Sequence, residues 1–169
     1  MNKNIIIIGF MGVGKGTVAR ALAKKNNMFV IDSDDLIESM ENREIKTIFK
    51  EDGEQYFRNL ETKTAKWLNK HVTNTIISTG GGFFKVDGLN KIGKVIYLMS
   101  SFESIIQRIK AQTNYKKKFN KRPLLKDIDR AKKLFNERVS LYEAKADIII
   151  NVEKQNIDKI TNKILEEIK

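Results

Sequence analysis

Apolar positions along this chain follow two rhythms. Five short runs lack the polar alternation of a half-exposed strand: Ile5-Ile6-Ile7-Ile8, Met28-Phe29-Val30-Ile31, Thr75-Ile76-Ile77-Ser78, Lys94-Val95-Ile96-Tyr97-Leu98 and Asp147-Ile148-Ile149-Ile150. They read as strands of the kind found in a parallel sheet, covered on both faces. Between the runs, apolar residues recur at helical spacing, as in Phe102, Ile105, Ile106 and Ile109, and again in Ile157, Ile160, Ile164, Leu165 and Ile168. The alternation predicts an α/β fold, a parallel sheet with helices on both faces. No repeat or linker interrupts it, so residues 1–169 are expected to form a single domain.

In such a sheet, ligands bind beyond the carboxyl ends of the strands. Three of those ends carry polar or glycine-rich sequence. The first strand runs directly into Gly9-Phe10-Met11-Gly12-Val13-Gly14-Lys15, followed by the helix-forming run Thr17-Val18-Ala19-Arg20-Ala21-Leu22-Ala23. Strand, G-x-x-x-x-G-K and helix in that order make a phosphate-binding loop. Its glycines turn consecutive backbone N–H groups toward one anion, and the helix N-terminus adds partial positive charge. Lys15 is placed to reach the outer phosphates of a nucleotide. The second strand ends in Asp32-Ser33-Asp34, and the third in Gly80-Gly81-Gly82. Helix capping alone would explain an Asp or Ser at the second position. Beside a phosphate loop, Asp32 is also a candidate for a metal–nucleotide complex and Asp34 for a substrate hydroxyl.

Two arginines stand out on helices. Arg58 has Glu54 four residues before it and Glu61 three after, so an exposed intrahelical ion pair is the plain alternative to a functional role. Arg138 falls on or next to the stripe Ile128, Ala131, Phe135, Val139 and Tyr142, which turns its charge inward. A buried charge must be paired or face a cleft, and two guanidinium groups could together grip a carboxylate. One segment, residues 112–126, breaks the pattern: it is polar, basic and aperiodic, and holds the chain's only proline. A loop of this length suggests a lid that closes over a nucleotide and brings Arg122 to its phosphates. The lysines at 116–118 are read as solvated surface.

Composition narrows the classes. With 41% hydrophobic and 31% charged residues the chain is globular, and no apolar run approaches the roughly 20 residues that span a bilayer. No signal-peptide layout opens it, and without cysteine it has neither disulfides nor thiolate metal sites, so a cytoplasmic home is expected. A net charge of +11 favours anionic partners, whether nucleotides, carboxylated metabolites or nucleic acid.

Taken together, these motifs resemble the shikimate kinases. The matches run in order from the loop at 9–15 through Asp32-Ser33-Asp34, Asp52-Gly53-Glu54 with Phe57-Arg58, Ser78-Thr79-Gly80-Gly81-Gly82, Arg122-Pro123-Leu124-Leu125 and Glu137-Arg138 with Leu141-Tyr142. The loop alone is widespread; the combination is specific. The resemblance implies a three-layer P-loop kinase with five parallel strands in the order 2-3-1-4-5, a substrate-binding region at about 33–61 and a mobile lid at about 112–126. It implies ATP-dependent phosphorylation of the shikimate 3-hydroxyl, in aromatic amino-acid biosynthesis, with Mg²⁺ and by a monomer. Lys15, Asp34 and Arg122 would be catalytic. Gly12, Val13, Gly14, Lys15, Gly16, Thr17, Arg108, Arg122 and Gln155 would hold ATP, with Arg108 and Gln155 flanking adenine. Asp34, Arg58, Gly80, Gly81, Gly82 and Arg138 would hold shikimate, and Asp32 would reach the metal through water.

At one position the chain departs from the family pattern. Ser or Thr is expected after Lys15, where its hydroxyl ligates Mg²⁺, and here the residue is Gly16, followed by Thr17. Adenylate kinases resemble the chain in that G-K-G-T, so a gluconate or nucleoside-monophosphate kinase is the nearest rival reading. A basic nucleic-acid-binding module is a rival of another class, but no nucleic-acid motif or clustered aromatic platform accompanies the charge, and no nucleic acid is expected as partner.

Overall fold

A computed structural model describes residues 4–111, 113 and 123–168. Five parallel strands form one sheet in the order β2-β3-β1-β4-β5. They are β1 (Ile5–Ile8), β2 (Phe29–Asp32), β3 (Thr75–Ser78), β4 (Lys94–Met99) and β5 (Ile148–Asn151). All residues of β1 and β3 are buried, as unalternating runs of a central parallel strand require. The edges differ. Phe29 on β2 is 85% exposed, and β5 alternates buried and exposed.

Helices cover the sheet. After β1 comes α1 (Lys15–Asn26), and α2 (Ser33–Glu41), α3 (Ile45–Glu51) and α4 (Gly53–His71) lie between β2 and β3. The short α5 (Leu89–Ile92) precedes β4, and α6 (Phe102–Lys110) follows it. On either side of β5 lie α7 (Ile128–Lys145) and α8 (Ile157–Glu167). One large core joins the sheet to α1, α6, α7 and α8. Ile37, Ile48, Phe57 and Leu60 form a second, smaller core that holds α2, α3 and α4 together, with Ile45 against it. The expected substrate-binding region at 33–61 thus has packing of its own.

At the amino ends of the strands, buried Asn4 acts as a clasp. Its amide donates to Val72 O at 2.7 Å and Ile92 O at 3.0 Å, and its carbonyl accepts from Thr75 N at 3.0 Å. The opposite, carboxyl ends are left to the glycine loops and acidic residues.

Only the far end of the segment expected as a lid is described beyond residue 113. Residues 123–126 form a 3₁₀ turn, and Leu125 is buried in the main core. Arg122 lies outside the described residues.

Candidate active site

The phosphate loop leaves β1 through Gly9 (φ 146°), Gly12 (φ 80°) and Gly14 (φ 105°), all in the region that favours glycine. Gly12 is required twice over, because a Cβ there would lie 2.5 Å from Ile109 Cδ1 of α6. Lys15 begins α1 and is buried, its Nζ donating to Gly9 O at 2.7 Å and Phe10 O at 3.1 Å. The ammonium group therefore lies back across its own loop. Gly16 and Thr17 follow in the first turn of α1, with Thr17 exposed. Arg108 Nη2 donates to Gly12 O at 2.9 Å and Val13 O at 2.5 Å, holding the loop from the α6 side. Burial lowers the proton affinity of that guanidinium.

The aspartates occupy two linked positions. Asp32 caps α2: its Oδ1 accepts from Asp34 N at 3.0 Å, and its Oδ2 accepts from Ser78 Oγ at 2.9 Å. Capping and candidate function thus coincide in one residue. Ser33 Oγ accepts from Gly80 N at 3.1 Å, which ties the start of α2 to the triple glycine. Asp34 lies directly over that loop, since a Cβ on Gly80 would come 2.4 Å from its Oδ1. Asp34 Oδ1 is buried without a hydrogen-bond partner among the described residues. Burial, reinforced by Asp32, pushes the Asp34 carboxyl up to about 7, against the pull of Lys15.

Arg58 and Arg138 meet at the same glycines. Arg138 of α7 is buried, and its Nη1 donates to Gly81 O at 3.0 Å. Arg58 of α4 faces Gly82, where a Cβ would come 2.4 Å from its Nη1. Both ion pairs expected for Arg58 form: Nη2 reaches Glu54 at 2.8 Å and Nη1 reaches Glu61 at 2.7 Å. Only the first is near solvent, because Glu61 is 1% exposed. Burial raises the Glu61 carboxyl, while Arg58, Lys85 and Arg138 draw it back. The two readings of Arg58, ion pair and carboxylate grip, are therefore both open to it.

Several residues here carried no sequence signal. Ser33 and Ser78 bond to partners far along the chain that no periodicity reveals. Tyr142 read as apolar stripe, yet its hydroxyl donates to Gly81 O at 2.5 Å, beside Arg138. Phe57 of the small core lies tilted against the exposed Phe49, and both rings are within reach of Arg58, 5.5 Å and 6.0 Å from its Cζ. A cleft of about 300 Å³ opens beside them, lined by Glu54, Gln55, Arg58, Glu61, Thr62, Lys85 and Val86. Gln155 lies apart. Its Nε2 donates to Asn151 O at 2.6 Å, and no hydrogen bond among the described residues joins it to the phosphate loop. No cluster of three or more His, Asp or Glu side chains that could hold a metal occurs among the described residues.

A phosphate loop at the exit of β1, in a sheet of this order, facing a carboxylate and two arginines, belongs to a P-loop kinase. The model of the family described as "Shikimate kinase" matches residues 11–169. Among curated relatives, the shikimate kinase of Helicobacter hepaticus is 38% identical over 164 residues, covering 97% of this chain and 95% of the relative. That of Sulfurihydrogenibium sp. is 40% identical over 172 residues, covering 99% and 98%. Among solved structures, shikimate kinase from Acinetobacter baumannii in complex with shikimate superposes with a TM-score of 0.85 at 31% identity, covering 99% of this chain and 93% of that one. The chain belongs to the shikimate kinase family.

Proposed function

We infer that this protein transfers the γ-phosphoryl group of ATP to the 3-hydroxyl of shikimate, giving shikimate 3-phosphate on the route to aromatic amino acids. The observation that carries the choice of acceptor is the meeting of Asp34, Arg58 and Arg138 on Gly80, Gly81 and Gly82. Hydroxyl recognition and carboxylate recognition then stand side by side, as a hydroxylated acid requires.

Phosphoryl transfer through a loose transition state asks for alignment and charge neutralisation more than covalent help. Backbone N–H groups of 12–17 cradle the phosphates. Lys15 leaves the carbonyls of Gly9 and Phe10 for the outer phosphates, and Arg122 adds charge from the lid. Arg58 and Arg138 hold the carboxylate of shikimate, fixing its ring. Asp34 accepts the hydrogen bond of the attacking hydroxyl; orientation is its main task, with proton removal accompanying transfer. Arg108 braces the loop and Gln155 borders adenine. The expected lid at about 112–126 would close over the nucleotide and exclude water.

Mg²⁺, when bound, would neutralise negative charge on the outer phosphates. The residues present fit a largely hydrated ion. Each Asp32 oxygen holds one hydrogen bond and retains a lone pair, which suits contact through water, and Gly16 offers no ligand. Gly16→Ser is expected to lower the Mg²⁺ concentration needed for half-maximal rate; an unchanged or higher requirement argues against a missing ligand. We place the protein in the cytoplasm as a monomer; among the described residues no helix is long and apolar enough to cross a membrane. The deciding assay is ADP release from ATP with shikimate, gluconate, AMP or CMP as acceptor. Turnover with shikimate is expected, and turnover only with another acceptor overturns the reading.

A further inference from the structure

The glycine after Lys15 leaves the surface of α1 open, and one side chain faces the opening. The three atoms nearest to a Cβ built on Gly16 all belong to the Arg20 guanidinium: Nη1 at 3.3 Å, Cζ at 3.8 Å and Nη2 at 3.8 Å. Arg20 lies four residues further along α1, so helical geometry places it over Gly16. It is exposed, and none of the hydrogen bonds or ion pairs among the described residues uses it. Its charge is felt across the gap to α2. The Asp35 carboxyl is raised by burial and by Asp32 and Glu38, with Arg20 acting in the opposite direction. The guanidinium thus stands beside the space that a Ser or Thr side chain at position 16 would take in a phosphate loop that ligates metal, with the Asp35 carboxyl in electrostatic range.

We propose that Arg20 is a nucleotide-binding residue, its guanidinium donating to an outer phosphate of bound ATP from the space of the absent hydroxyl. The inference rests on the ATP-binding half of the functional reading and not on the acceptor. A guanidinium is permanently charged, weakly hydrated and shaped to donate two parallel hydrogen bonds to phosphate. An isolated exposed ion pair contributes little. Here the anion is already fixed by the loop amides and Lys15, so Arg20 gives up less side-chain freedom for each bond it forms. The cation then supplies part of the neutralisation that a metal held by a hydroxyl otherwise provides, and nucleotide binding depends less on Mg²⁺.

Calorimetric titration of the intact protein with ATP, without acceptor, in Mg²⁺ and separately in chelator, tests the proposal. Arg20→Gln is expected to weaken metal-free ATP about tenfold, the value of one charge-assisted hydrogen bond, and Mg·ATP by less. Arg20→Lys should recover part of the loss. In a Gly16→Ser background the cost of Arg20→Gln should shrink, because the new side chain both displaces the guanidinium and supplies a ligand. A metal-free Kd within twofold of the wild type in Arg20→Gln overturns the proposal. So does a weakening that tracks a lowered melting temperature and is not recovered by lysine, which would assign Arg20 to helix stability. ATP binding without shikimate-dependent turnover overturns the acceptor reading alone and leaves Arg20 in place.

Discussion

Asp34 keeps its proton to about pH 7, where an ordinary aspartic acid loses it near 3.8. Burial is the main cause, so the folded site binds a proton that the unfolded chain has released. Stability therefore falls as pH rises from about 4 to about 7, and the penalty is constant above that. In its proposed role Asp34 works as the carboxylate, the stronger acceptor and the only form able to take the hydroxyl proton, so kcat/KM for shikimate should rise with pH through about 7. Asp34→Asn should remove that limb, lower turnover by orders of magnitude, and raise the melting temperature at pH 8. A pH–rate profile beside thermal melts of both proteins checks the pair of effects. Gly80 sets the companion constraint. Gly80→Ala puts a methyl 2.4 Å from Asp34 Oδ1, so the carboxylate must move. Acceptor turnover should drop at least tenfold while ATP affinity measured by calorimetry stays within twofold, because the loop at 9–15 is untouched.

Elements differed in how plainly the sequence announced them. The β1–loop–α1 unit was legible because two demands coincide in it: an unbroken apolar run and glycines at fixed spacing. Arg138 was legible as an inward charge because it interrupts a helical stripe, and it is indeed buried with Ala131, Phe135 and Tyr142. The polar contacts of Ser33, Ser78 and Tyr142 were not legible; their partners lie 46 to 61 residues away, beyond any local pattern. The 7-residue α3 went unseen for another reason: Ile45, Ile48 and Phe49 keep helical spacing, but over too short a run to mark a helix by pattern alone. Buried Ile48 nevertheless unites α2, α3 and α4. Ile48→Ala should cost about 2–5 kcal/mol. Its effect should reach the acceptor side first, raising KM for shikimate more than KM for ATP; equal rises would place the small core outside acceptor binding.

Across the whole molecule, the two ends of the strands have opposite duties. Asn4 locks the amino ends with three buried hydrogen bonds, and the carboxyl ends bear every described candidate except Arg58, Arg108 and Arg138, which reach in from helices. Of these helices, α7 would serve both substrates of the proposed reaction. It starts just after the turn Pro123–Lys126, and its buried face ends at Tyr142, next to the carbonyl of Gly81. Its 18 residues thus join the two sides of the proposed site in one helix. If Arg138 holds the acid as proposed and the segment before α7 covers the nucleotide, occupancy on either side should favour occupancy on the other by one shared factor. Saturating shikimate should therefore tighten ATP severalfold in calorimetry, and Arg138→Ala should erase that gain while sparing the affinity for ATP alone. In such a machine, an empty acceptor seat is itself a safeguard, leaving ATP loosely held until there is something to spend it on.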